Sequence, residues 1–121
     1  MKNISKEFLA KQEEACKNPY NAYLFAKNIK GADVEKCQET ACKDFKCAYW
    51  FARDIEGANI KYCQEAACKY PLYAYYFAKD IKGADIEKCQ KATYKNPKWL
   101  KRFAEDISGA DQKKYKIYSL L

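Results

Sequence analysis

Apolar residues fall in short stretches at positions i, i+3, i+4 and i+7, and the same stretch occurs four times along the chain. Over 19–30 they are Ala22, Phe25, Ala26 and Ile29, the stripe of an amphipathic helix. A second stripe, Val34, Cys37 and Ala41, predicts another helix over 33–43. Between them stands Gly31, where the first helix is expected to end in a left-handed residue. Gly57, Gly83 and Gly109 follow at 26-residue intervals, with no insertion or deletion between copies. A fixed period of this length marks a stacked-repeat architecture.

The polar residues at the ends of the stripes support the same reading. Asn18-Pro19 and Asn96-Pro97 place a capping side chain before a proline at the first helical position. Asp44 supplies the cap alone, and Tyr70-Pro71 keeps the proline without the cap. Asp33, Asn59, Asp85 and Asp111 cap the second helices. Together these signals predict nine short helices, over 5–17, 19–30, 33–43, 45–56, 59–69, 71–82, 85–95, 97–108 and 111–119. The predicted fold class is all-α: an α-solenoid of about four and a half helix-turn-helix repeats in a single domain. A half-repeat occupies 1–17 and full repeats occupy 18–43, 44–69, 70–95 and 96–121. By analogy with other helical repeats the superhelix is expected to be right-handed.

Helices of about 11 residues are marginal alone in water, so stacking has to stabilise them. Ala22, Ala26 and Ala41, with their equivalents, permit close helix approach, and the ladder Phe25, Phe51, Phe77 and Phe103 is expected to fill the space between repeats. Lys17, Lys43, Lys69 and Lys95 recur at the ends of the second helices, where a cation complements the helix dipole. The last repeat departs from the pattern. Gln112 stands where Val34, Ile60 and Ile86 stand, and Lys116 replaces Gln38, Gln64 and Gln90. The apolar tail of Ile117, Tyr118, Leu120 and Leu121 is expected to fold back as a cap.

Composition narrows the function. A net charge of +7 and a pI of about 9.0 favour acidic partners. No apolar run approaches the roughly 18 residues of a membrane span, and the charged start carries no apolar leader. The expectation is a cytoplasmic protein with no membrane association. Of seven cysteines, Cys37, Cys63 and Cys89 share one repeat position and Cys16, Cys42 and Cys68 another; in the last repeat these become Tyr115 and Tyr94. Exchange with tyrosine points to reduced packing residues and not to halves of bridges. Cys47 stands alone, with Asn21, Tyr73 and Trp99 as equivalents, which suggests an ordinary surface position. With no histidine, no C-x-x-C spacing, no glycine-rich phosphate loop and no G-x-S-x-G or H-E-x-x-H motif, neither an enzyme, a metal nor a cofactor is expected.

Binding candidates lie on the outward face of the first helices. Stacking the copies lines up Tyr20, Lys46, Leu72 and Lys98; Leu24, Trp50, Tyr76 and Arg102; and Lys27, Arg53, Lys79 and Glu105. Aromatic rings in line with cations resemble the contact strips of solenoids, and Trp, Tyr and Arg are the residue types that dominate interface hot spots. The partner-binding residues predicted are Tyr20, Leu24, Trp50, Arg53, Leu72, Tyr76, Lys79 and Arg102. Tyr23, Tyr49 and Tyr75 lie on a flank and are expected to pack between repeats.

The motif Ala-Tyr-x-Phe-Ala-Lys/Arg-Asp/Asn-Ile-x-Gly-Ala-Asp/Asn-Ile/Val resembles short helical repeats of uncharacterised bacterial and phage-type proteins, over nearly the whole chain. The resemblance implies an α-solenoid and carries over no catalytic or binding residue. It suggests an adaptor or an inhibitor, such as a phage-type antagonist of a bacterial defence enzyme. A protein partner is expected, with the chain a monomer or self-associating through its terminal face. The alternative is a basic nucleic-acid-binding solenoid, because single strands stack on aromatic platforms beside cations. Asp54, Asp80, Asp106 and Glu105 beside the strip weigh against it.

Overall fold

The computed structural model describes residues 5–121; the charged start read at residues 1–4 lies outside them. Among the described residues there are nine α-helices and no strand: α1 (Lys6–Ala15), α2 (Pro19–Asn28), α3 (Val34–Ala41), α4 (Phe45–Asp54), α5 (Ile60–Ala67), α6 (Pro71–Asp80), α7 (Ile86–Lys91), α8 (Pro97–Asp106) and α9 (Gln112–Ser119). Each even helix packs on the odd helix that follows it, and α2, α4, α6 and α8 also lie side by side as one row. The odd helices form the second row, with α3 and α5 each packed on the next even helix as well. This is the all-α solenoid that the 26-residue period predicts. Among the described residues no helix is long and apolar enough to cross a membrane.

The core lies between the rows. Phe51, Phe77 and Phe103 are fully enclosed there, together with Ala48, Ala74, Cys37, Cys63 and Cys89. Phe25 is only half-buried, because α1 alone stands below its repeat; its ring meets Phe8 edge-on at 5.6 Å. The predicted caps form. Asn18, Asp33, Asp44, Asn59, Asp85, Asn96 and Asp111 each accept a backbone N–H three residues on, and Tyr70 makes no such bond.

The helices are shorter than their stripes suggest, and the glycines explain part of this. Helix α4 ends at Asp54, with Ile55 as an extended C-cap. The next four residues form a turn, closed by the Ala58 N–H donating to the Ile55 carbonyl at 3.2 Å. Gly57 occupies its third position with φ of +88°, the conformation a type II turn requires there and other residues resist. The glycine thus shapes the turn between the helices instead of ending the first one. Helix α7 stops at Lys91, where 85–95 is predicted. Thr93, in the place of Ala41 and Ala67, is buried there and donates its hydroxyl to the Gln90 carbonyl at 2.6 Å. A side-chain bond of this kind competes with the helical ladder.

Two further expectations are corrected. Cys47 is buried (3% exposed), not on the surface, because its side of α4 turns toward the core. The tail does not close as a full apolar cap. Tyr118 stacks on Tyr94 at 3.8 Å, but Ile117, Leu120 and Leu121 remain exposed among the described residues.

A row of buried glutamines holds the odd helices in register. Gln12 accepts the Asp33 N–H at 2.7 Å, Gln38 the Asn59 N–H at 2.6 Å, Gln64 the Asp85 N–H at 2.7 Å and Gln90 the Asp111 N–H at 2.7 Å. Gln90 also donates to the Asp111 carbonyl at 2.8 Å. The N-cap N–H lies outside its own helix and has no acceptor there. Each repeat therefore supplies that acceptor to the next. Lys116 takes the glutamine position at the end of the described chain, where no further N-cap follows.

Candidate partner-binding surface

The even helices present an aromatic and cationic surface that is fastened from below. Tyr23, Tyr49 and Tyr75 are buried, and their hydroxyls donate across the repeat joint to Asp54, Asp80 (2.5 Å) and Asp106 (2.6 Å). Burial and then the Asp80 carboxylate push Tyr49 up to about 12; burial and Asp54 raise Tyr23, and Asp106 and burial raise Tyr75. Arg53 forks onto Asp54 through Nε at 2.7 Å and Nη2 at 2.9 Å, and this pairing holds the carboxyl at about 2 against the cost of its burial. The tyrosine–aspartate ladder starts and stops with its partners. Asn28 stands at the position of the aspartates, and Lys101 at that of the tyrosines in α8.

Over this ladder the rings form two groups. Trp50 lies 6.0 Å from Tyr20 and 5.8 Å from Tyr23. Tyr76 joins Tyr73, Tyr75 and Trp99 at 6.1, 5.5 and 6.5 Å. Cations sit over the rings: Arg53 over Tyr49 at 5.4 Å, Lys79 over Tyr75 at 5.8 Å, and Arg102 over Tyr75 at 5.2 Å and Trp99 at 5.4 Å. Such contacts hold long cationic side chains flat against the surface.

The structure brings most of the predicted residues together. Tyr20 is half exposed (50%), Trp50 and Tyr76 are partly covered by neighbouring rings, and Arg53, Lys79 and Arg102 are exposed. Arg102 also reaches Asp106, at 3.7 Å. Leu24 is half-buried against the core and Leu72 half-buried on α6, so neither offers much free apolar surface. Sequence reasoning lined up Asn21, Cys47, Tyr73 and Trp99 as one ordinary surface position and left them out of the binding surface, but the last two complete the second aromatic group. Two large rings at one repeat position in adjacent copies were the available signal.

Comparison with family models, with curated proteins and with solved structures found no match to this chain.

Proposed function

We propose that the chain is a non-catalytic protein-binding module, an adaptor or an inhibitor that covers a partner's surface with the outer side of α2, α4, α6 and α8. One observation carries the reading: the half-exposed Tyr20 and the partly covered Trp50 and Tyr76 lie on the same face as Arg53, Lys79 and Arg102, whose cations rest on the Tyr49, Tyr75 and Trp99 rings. A surface arranged in advance loses little side-chain entropy on docking, and Trp, Tyr and Arg are the side chains that contribute most at interfaces. Occlusion of a bacterial defence enzyme by a phage-type antagonist is the specific form that the sequence resemblance supplies. A second reading, nucleic-acid binding, draws on the same rings and the net charge of +7. The row Asp54, Asp80 and Asp106 beneath the rings opposes it.

Affinity capture from bacterial lysate with nuclease, comparing the native chain with Trp50→Ala, tests the proposal. A discrete protein retained by the native chain and lost by a variant of unchanged circular dichroism is the expected result. Binding that disappears with nuclease, or falls log-linearly between roughly 50 and 200 mM salt, would transfer the function to nucleic acid.

A further inference from the structure

The two cysteine ladders meet in space. Sγ of Cys16 lies 3.8 Å from Sγ of Cys37, Cys42 lies 3.6 Å from Cys63, and Cys68 lies 3.6 Å from Cys89. Each pair joins the C-cap of one odd helix (α1, α3 or α5) to the body of the next. The same joint in the last repeat would pair Tyr94 with Tyr115, so the exchange for tyrosine removes both members of one pair together. Substitution in pairs is what a bond between the two positions requires. Two side chains packed in contact are coupled in the same way, so the distances between the sulfurs carry the inference.

We propose that Cys16 with Cys37, Cys42 with Cys63 and Cys68 with Cys89 are three cross-linking sites that close to disulfides on contact with a small-molecule disulfide oxidant, stapling successive repeats. The inference is independent of the binding reading. The sulfurs already touch and need to approach only to about 2.05 Å. In each closure one thiolate attacks the oxidant and expels a thiol. The second thiolate then displaces the mixed-disulfide sulfur and expels the other. The pair gives up two protons and two electrons, and the oxidant becomes two thiols. Cys16 and Cys68 are half-buried and reach the reagent first, whereas both members of the middle pair are buried. Burial, and then the adjacent Cys16, push the Cys37 thiol up to about 12, so attack at that joint starts from Cys16. Cys47 has no such partner and stays a thiol. Among the described residues no three metal-ligating side chains converge, so a tetrahedral zinc site is not the competing use of the pairs.

The test treats the reduced full-length chain with oxidised glutathione, quenches with acid, alkylates in denaturant and maps the peptides by mass. The expected product lacks about six hydrogens, retains Cys47 as the alkylated thiol and carries only the three predicted links. The outer pairs close before Cys42–Cys63, and the thermal midpoint rises by several degrees, reversibly with reductant. Cys16→Ser, altered at a half-buried end position, loses one link and keeps the other two. Scrambled links, stable glutathione adducts at the six positions, or seven alkylatable thiols after oxidation would overturn the proposal. Stoichiometric binding of Cu(I) by pairs that resist the oxidant would overturn it in favour of a metal site.

Discussion

The two rows of helices solve one problem, holding each repeat on the next, with different chemistry. In the odd row the joint is buried: a glutamine amide satisfies the next N-cap, and a pair of sulfurs lies beside it. In the even row a buried tyrosine donates to the next aspartate, and the residues above that bond stay half exposed. The odd-row joint tolerates little change, because the glutamine side chain is itself buried and its removal loses both packing and a bond to the next N-cap. The even-row joint needs only its tyrosine and aspartate. Position 20 and its equivalents are then free to vary, as Tyr20, Lys46, Leu72 and Lys98 do. A binding surface belongs on the row where structure leaves the side chains undetermined.

Breaking what both rows share should have the largest effect. Phe51 is fully enclosed between them, so Phe51→Ala should cost about 3–5 kcal/mol and unfold a chain of ordinary stability, as read by denaturant melts. Unchanged stability would mean that the rows do not close on the phenylalanine ladder. Gln64→Ala should cost about 1–3 kcal/mol, because the Asp85 N–H loses its acceptor. The same change at Gln12, where one side of the stack is open, should cost less; equal losses would show that the glutamines do not act at the joints.

Tyr49→Phe should cost only about 1 kcal/mol near neutral pH, the net worth of one hydrogen bond. That cost should shrink in alkali. The Tyr49 hydroxyl is raised to about 12 in the fold, so its contribution is complete below the ordinary value of about 10 and is lost as pH rises through 12. Native stability should therefore fall more steeply than that of Tyr49→Phe across this window, and parallel curves would remove the bond from the account. Asp54, held at about 2, acts in the opposite sense: its stabilisation is present above about 4 and is lost as pH falls through 2. Trp50→Ala should cost about 1–2 kcal/mol, less than Phe51→Ala, because its ring packs on Tyr20, Tyr23 and the edge of the core but is not enclosed. A large loss of stability there would turn the aromatic surface into a packing feature and remove the main support for the binding reading.

Much of this was legible in the chain. The stripes, caps and prolines locate all nine helices to within a few residues, since they record local backbone requirements. The ring and cation ladders locate most of the even-row surface, since a strict repeat stacks equal positions. Trp99 and Tyr73 escaped because their position holds Asn21 and Cys47 in the other copies, which hides its shared direction. The glutamines were visible as a recurring residue, yet their partner lies 21 residues away on another helix. The tyrosine–aspartate bonds span 31 residues and leave no mark in any one repeat.

The sequence by itself determined that the chain is a stack of similar helical pairs, because helix periodicity, capping and a constant repeat length are local properties. Only the tertiary structure decided which residues meet across the joints. It alone placed Gln64 on Asp85, Tyr49 on Asp80 and Cys42 beside Cys63. Those contacts depend on how one helical pair settles on the next, and no single repeat contains that geometry.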